Sequence, residues 1–244
     1  MLLTMKHGTR ALEMGKHVYV YVPEKKAPEG GFKTLYLLHG YFGDYTDWVY
    51  ASNLLRYAER YDLVIVMPDG ANSYYVNHPK GLLYHDYITK DLRIRIEETF
   101  HVSKKKEDRF IAGLSMGGYG ALYLGLHHPE LYSKIGALSP VIELDQMEDH
   151  FIKGERVYHF ETLFGKEDFK GSHLDLYHVL KDGTKQDLFI SCGESDFLIE
   201  ENRRFHQFLN EKNIKHTYEF KPGTHDWQYW DQKIQDVLKV MMDT

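Results

Sequence analysis

Short apolar runs and amphipathic stretches take turns along most of this chain. Apolar runs bounded by Gly or Pro predict strands; 16–23 alternates like a half-buried strand, whereas 34–40 and 63–70 are apolar on both faces. The strands are predicted at 16–23, 34–40, 63–70, 109–113, 134–140, 187–193 and 216–223. Helices are predicted between them at 52–61, 84–100, 116–127, 198–212 and 226–241. This order indicates an α/β protein whose mostly parallel sheet carries helices on both faces.

Residues 141–184 interrupt this order. They mix charged, aromatic and glycine residues without a long periodic run, and they separate two predicted strands. Because the segment is too polar to form its own core, we interpret it as a cap over the strand ends. We therefore expect residues 1–244 to form a single domain with 141–184 as an insertion.

Composition excludes several classes of function. The formal net charge of −6 gives no basis for binding nucleic acid or an anionic membrane surface. The single cysteine, Cys192, excludes an internal disulfide. Residues 1–10 lack the apolar stretch of a signal peptide, and no apolar run is long enough to span a membrane. We expect a cytoplasmic protein, with secretion left open if a leader has been removed, and homo-oligomerisation is left open too.

A glycine-rich stretch suggests a nucleophile. Residues 113–117 read Gly-Leu-Ser-Met-Gly and fit the pattern G-x-S-x-G, directly after a predicted strand and before a helix rich in small residues. In such a turn the chain reverses so sharply that Gly113 and Gly117 are needed to avoid a collision. The turn would project the hydroxyl of Ser115 over the sheet edge. The alternative is a glycine turn that only packs a helix on a strand.

A serine nucleophile needs a base and an acid. In α/β proteins with this kind of serine turn, the three residues follow one another along the chain in the order Ser, Asp or Glu, His. Glu194 and Asp196 follow one predicted strand, and His225 follows the next. We expect all of them at the sheet edge that carries Ser115. Other histidines, such as those at 127, 128 and 206, have ordinary helix-end or helix positions.

Loop position favours Asp196 as the acid. Gly193 allows a sharp turn after the strand, so that Glu194 would lie on the outer arc of the loop. Asp196 comes just before the apolar Phe197-Leu198, which should hold it inward. Asp226 is the chain neighbour of His225 and is badly placed to reach the Nδ1 side of the ring.

An acyl-transfer site also needs donors for the tetrahedral oxyanion. The segment 37–48, "LLHGYFGDYTDW", follows an early strand and has the position where such a donor is found. We assign the donors as the backbone amides of Tyr41 and of Met116, which follows the serine. A plain turn at His39-Gly40 is the alternative.

Together these segments resemble the esterase D-like branch of the α/β-hydrolase superfamily, which includes acetyl, tributyrin, feruloyl and acetylxylan esterases and S-formylglutathione hydrolases. The resemblance spans about residues 16 to 241 and rests on "LLHGYFGDYTDW", "PDGANSYYVN", "GLSMGGYGA", "CGESDFL" and "GTHDWQYW". It implies an α/β-hydrolase fold, the catalytic residues Ser115, Asp196 and His225, and oxyanion donors at Tyr41 and Met116.

The expected activity is hydrolysis of short-chain acyl or aryl oxygen esters. Formylglutathione hydrolases carry a cysteine shortly after the glycine that precedes the first oxyanion donor. This chain has Tyr-Phe-Gly at 41–43 instead, which disfavours a glutathione thioester as the substrate. A thioesterase, an acyltransferase of the same fold and a non-catalytic binding protein are the alternatives. We expect a small-molecule ester as partner and no cofactor or metal. Four aromatic residues lie close in sequence to the predicted site, and we expect some of them to line the substrate pocket. The alternative is that they belong to the ordinary hydrophobic core. They are Phe42, Trp48, Trp227 and Trp230.

Overall fold

A computed structural model describes residues 1–147, 157–165, 169–180 and 182–243, with the side chains of 157–159 left out. It contains an eight-stranded sheet in the order β1-β2-β4-β3-β5-β6-β7-β8. The strands are β1 (Leu2–Thr9), β2 (Met14–Tyr21), β3 (Lys33–Leu38), β4 (Leu63–Pro68), β5 (Arg109–Leu114), β6 (Lys134–Leu138), β7 (Asp187–Gly193) and β8 (His216–Lys221). Strands β3 to β8 are parallel, whereas β1 and β2 form an antiparallel edge.

Helices follow the parallel strands. They are α1 (Asp47–Tyr50), α2 (Leu54–Ala58), α3 (Tyr84–Asp86), α4 (Arg93–Thr99), α5 (Met116–His127), α6 (Val157–Phe164), α7 (Leu176–Val179), α8 (Ile199–Glu211) and α9 (Trp227–Met242). A π-helical segment, Tyr87–Leu92, joins α3 to α4, so the predicted helix over 84–100 is continuous but wider in its middle. In the described part of the chain, no helix has the length and apolar character that crossing a membrane requires.

The sheet separates two hydrophobic cores. Along β3, Leu35 and Leu37 belong to one core, and Tyr36 and Leu38 belong to the other. Side chains alternate between the faces of a strand, so an uninterrupted apolar run fits a strand that is covered on both sides. The two-sided burial that the sequence predicts is therefore present, and the fold is that of the α/β hydrolases.

The sequence reading missed β1. Its eight residues, Leu2–Thr9, pair along their whole length with β2, yet only His7 and Thr9 are buried. An edge strand of this kind is stabilised by backbone hydrogen bonds to its neighbour and needs little apolar pattern. The predicted helix over 52–61 is also shorter than expected, because only Leu54–Ala58 is helical.

The described part of 141–184 packs against the main body of the protein. Phe164 and Leu174 are buried in the same core as α5, and the Tyr119 hydroxyl of α5 donates to the carbonyl of Leu174 at 2.9 Å. This contact joins the predicted cap to the helix that follows Ser115. The remainder of the predicted cap, at 148–156, 166–168 and 181, lies outside the described residues.

Helix α8 carries a buried acid that supports the start of this segment. Glu201 is buried, and its Oε1 accepts the backbone N–H of Ile142 at 2.8 Å. Burial raises the pKa of Glu201 from its ordinary value of 4.5 to about 8. At a pH between these two values, Glu201 is therefore protonated in the native state and ionised in the unfolded chain.

The sign of this linkage predicts a pH effect on stability. The contribution of Glu201 to the free energy of unfolding is fully present below pH 4.5 and is lost as the pH rises through about 8. Relative to the Tm of Glu201→Gln, we expect the Tm of the wild type to decrease as the pH rises across this window, because glutamine does not ionise. Thermal unfolding measured between about pH 5 and pH 9 tests this. Equal slopes for the two proteins would contradict it.

Candidate active site

Ser115 lies in the sharp turn between β5 and α5. Its backbone has φ 53° and ψ −119°, a conformation that is costly for a residue with a side chain. The flanking glycines make the turn possible. A Cβ on Gly113 would lie 2.2 Å from the carbonyl oxygen of Gly117, and a Cβ on Gly117 would lie 2.5 Å from that of His39. The structure thus holds Ser115 in the strained elbow that its sequence context predicts.

A chain of hydrogen bonds joins Ser115 to His225 and Asp196. Nε2 of His225 lies 2.9 Å from Oγ of Ser115. Nδ1 of the same ring lies 2.9 Å from Oδ2 of Asp196 and 3.1 Å from Oδ1. An ionised carboxylate can only accept, so Nδ1 carries the proton in this arrangement and Nε2 of the neutral ring can accept the serine proton. The three predicted side chains therefore meet although they are separated by up to 110 positions.

The loop after β7 places Asp196 inward. The residue is 2% exposed, whereas Glu194 and Ser195 are exposed on the outer arc. Oδ1 of Asp196 accepts the backbone N–H of Leu198 at 2.9 Å, which fixes the carboxylate. The sequence offered no signal for this amide, because it depends on how the loop closes.

Phe197 departs from the expected arrangement. The expectation that the apolar pair Phe197-Leu198 holds Asp196 inward is wrong for Phe197, because the Phe197 side chain is 60% exposed while Leu198 is buried. The Phe197 ring lies against His225, with 4.6 Å between ring centroids. Trp230 contacts the same histidine, at 4.9 Å. Adjacent residues in a tight loop point to different sides, so Phe197 covers the imidazole while Leu198 enters the core.

The other two candidate acids are Asp226, whose carboxylate is engaged elsewhere, and Glu194, whose side chain is exposed. Asp226 is the N-cap of α9, where its Oδ1 accepts the backbone N–H of Tyr229 at 2.9 Å and its Oδ2 accepts the Thr224 hydroxyl. Glu194 is exposed, and its backbone N–H donates to Lys221. Asp196 is the acid whose carboxylate contacts the ring of His225.

The predicted oxyanion donors lie on two segments that meet at the serine. Met116 is the first residue of α5, so its N–H has no acceptor within the helix. Gly40 passes close to the serine, because a Cβ built on Gly40 would lie 3.6 Å from Cβ of Ser115. Tyr41 follows Gly40 directly, so its backbone lies beside the same serine. The helix N-terminus adds a partial positive charge at this place.

The four predicted pocket aromatics have different surroundings. Trp48 is 1% exposed and its indole N–H donates to the carbonyl of Leu38 at 3.1 Å, so it belongs to the core. Trp230 is buried as well, and its indole N–H donates to Oγ of Ser139. For these two residues the structure favours the core alternative. Phe42 is 77% exposed and Trp227 is half-buried, and both remain candidates for substrate contact.

Cys192 is poorly suited to act as an alternative nucleophile. Cys192 is fully buried, and burial raises the pKa of its thiol, which disfavours the thiolate. Within the described ranges, no group of three or more His, Cys, Asp or Glu side chains is arranged to hold a metal ion.

Comparisons with known proteins identify the family of this chain. The Esterase family matches residues 9–241 of the chain. An acetyl esterase of Caldicellulosiruptor saccharolyticus is 31% identical over 229 residues, which cover 89% of this chain and 86% of that protein.

Solved structures match over the whole chain. The fluorophosphonate-binding serine hydrolase FphF of Staphylococcus aureus is 31% identical with a TM-score of 0.93, covering 100% of this chain and 99% of that one. The S-formylglutathione hydrolase FrmB of the same organism is also 31% identical, with a TM-score of 0.87 and the same coverage. A ferulic acid esterase at 21% identity has a TM-score of 0.83 over 99% of this chain and 97% of that one, and shares the fold.

Proposed function

Because this chain belongs to the Esterase family and is a carboxylic ester hydrolase, we propose that it cleaves oxygen esters of short acyl or aryl acids through an acyl-enzyme on Ser115. The observation that carries the proposal is the continuous hydrogen-bonded chain from Ser115 through His225 to Asp196. A structural serine in a glycine turn would have no need of a histidine and a buried carboxylate aligned behind it.

The roles follow from the positions of the protons. Nε2 of His225 takes the hydroxyl proton as Ser115 Oγ attacks the ester carbonyl, and Asp196 stabilises the imidazolium that forms. The backbone amides of Tyr41 and Met116 donate to the oxyanion of the tetrahedral intermediate. The imidazolium then gives its proton to the leaving alcohol. A water deprotonated by His225 releases the acid from the serine.

An oxygen ester is the proposed substrate class. The acetyl esterase relative supports a small acyl group. Exposed Phe42 follows Tyr41, and half-buried Trp227 lies two residues after His225, so both offer apolar surface near the site that suits a short acyl chain or an aromatic acid. The single cysteine of the chain, Cys192, is buried and is not on the oxyanion loop.

A thioester is the second candidate, because the S-formylglutathione hydrolase FrmB is as similar in sequence as the acetyl esterase. The same serine could attack either carbonyl. Parallel measurement of kcat/KM on S-formylglutathione and on a soluble acetate ester discriminates between them. An advantage of the thioester over the acetate ester would reverse our proposal. Product analysis with and without an alcohol acceptor separates hydrolysis from acyl transfer.

We predict a preference for short acyl groups and no activation at a lipid interface. The described part of 141–184 packs down on α5 and carries many charged residues, unlike an apolar lid. A series of p-nitrophenyl esters from acetyl to decanoyl should therefore show the highest kcat/KM at acetyl or butyryl. Methyl ferulate and acetylated xylan test the aryl and polymer alternatives. Faster turnover of emulsified long-chain triglyceride than of soluble butyrate esters would refute the prediction.

A further inference from the structure

A strained loop follows β4 beside the active site. In residues 70–75, which we name the tyrosine loop, Ala71, Tyr74 and Tyr75 have φ values of 45°, 53° and 59°. Positive φ is unusual for residues with bulky side chains and persists only where the surroundings enforce it. Both tyrosines are buried, Tyr74 at 2% exposure and Tyr75 at 0%. The contacts of this buried loop therefore enforce the strain.

The tyrosine loop holds the segment that carries the first oxyanion donor. The Gly70 N–H donates to Nε2 of His39 at 2.9 Å, and the Tyr75 hydroxyl donates to the carbonyl of His39 at 3.0 Å. On the other side of Tyr41, the Phe42 N–H donates to Oδ1 of Asn72 at 2.7 Å. The first bond fixes the ring of His39, and the other two fix the backbone before and after Tyr41.

The ring of Tyr75 also contacts the helix that carries the second donor. A Cβ on Gly120, in the first turns of α5, would lie 2.4 Å from the Tyr75 ring, and a Cβ on Gly70 would lie 2.3 Å from it. The ring is thus wedged between the loop and α5, whose first residue is Met116. Burial raises the pKa of Tyr75, so the hydroxyl stays protonated and able to donate.

We propose that Tyr75 is a positioning residue for the oxyanion hole, with Asn72 as its second support. The ring of Tyr75 fixes the distance between the tyrosine loop and α5, and the hydroxyl of Tyr75 fixes the position of the His39 carbonyl. The amides of Tyr41 and Met116 are thereby held at a fixed separation. Donors that are placed before the reaction stabilise the transition state without reorganising. This inference rests on the proposed function, because it needs an oxyanion to form on the substrate.

The test compares Tyr75→Phe with Tyr132→Phe. Each variant removes one buried hydroxyl, but that of Tyr132 has no hydrogen-bond partner among the described residues. For Tyr75→Phe we expect kcat to fall about tenfold with KM changed by less than about twofold, since the bond acts on donors used in the transition state. The inhibition constant of a trifluoromethyl ketone, which forms an oxyanion adduct with the serine, should rise by the same factor.

The pH dependence gives an independent readout. The midpoint of the pH–rate profile should not move in Tyr75→Phe, because the bonds of His225 to Ser115 and Asp196 are untouched. Asn72→Ala should show the same split between kcat and KM, because the Phe42 N–H loses its acceptor. Tyr132→Phe should match the wild type in every measurement.

The possible results separate this inference from the proposed function. Equal kinetics in Tyr75→Phe and Tyr132→Phe would overturn the inference. So would a loss of kcat in Tyr75→Phe that is matched by a loss of folded protein, measured by circular dichroism and active-site titration, with an unchanged inhibitor constant. A wild type without esterase activity, or with full activity in Ser115→Ala, would overturn the proposed function instead.

Discussion

Replacing Ser115 with alanine is expected to lower kcat for ester hydrolysis by a factor on the order of 10⁴ or more, because the acyl-enzyme can no longer form. The effect should be this large because Ser115, His225 and Asp196 form one hydrogen-bonded unit, and removal of one member disables the others. The remaining rate would come from the oxyanion donors and from substrate binding. The fold should persist, since the elbow depends on its glycines more than on the hydroxyl.

Covalent labelling identifies the residue that reacts. A fluorophosphonate probe should label the wild type and fail to label Ser115→Ala. The S. aureus relative FphF is itself described as fluorophosphonate-binding, which makes this reagent a suitable choice. Ser133→Ala is a matched control, because Ser133 precedes β6 and its hydroxyl donates to the carbonyls of Glu107 and Arg109. Labelling that persists in Ser115→Ala would move the nucleophile to another residue.

The sequence could predict the elements that depend on local pattern. The helix over 116–127 has the predicted bounds, and the strand over 187–193 does as well. Both begin or end at residues with strong local preferences, such as the glycines of the elbow. The meeting of Ser115, Asp196 and His225 was also predictable, because the carboxyl ends of parallel strands share one edge of the sheet.

What the sequence could not predict depends on contacts between distant segments. Strand β1 is stabilised by pairing with β2 and not by an apolar pattern of its own. The burial of Trp48 and the exposure of Phe197 follow from how α1 and the loop after β7 pack, which neighbouring residues do not specify. The support that Tyr75 gives to His39 joins positions 36 residues apart and has no local signal.

Contacts from several separate segments surround His225. Its Nδ1 is oriented by Asp196, and its ring lies between exposed Phe197 and buried Trp230. Trp230 is itself fixed by its hydrogen bond to Ser139, which follows β6. The imidazole is therefore held by segments that follow two strands, β6 and β7, and by α9.

Asp196→Asn is expected to lower kcat by about 10⁴ while leaving the fold intact. The asparagine can still accept the Leu198 N–H through its oxygen, so the loop should keep its shape. Its amide nitrogen would then face Nδ1 of His225 as a donor. The ring must respond by placing its proton on Nε2, where it cannot accept the proton of Ser115. The variant thus fails through the wrong tautomer and not through unfolding.

The neighbouring acids provide the controls for this prediction. Glu194→Gln and Asp226→Asn should each lower kcat by less than about tenfold, because neither carboxylate fixes the tautomer of His225 by a hydrogen bond to Nδ1. Asn is as good an N-cap as Asp, so Asp226→Asn should also keep α9 in place. Circular dichroism and thermal unfolding establish that each variant is folded before rates are compared. If Glu194→Gln proves as damaging as Asp196→Asn while both are folded, the acid has been assigned to the wrong residue and the loop after β7 turns differently during catalysis.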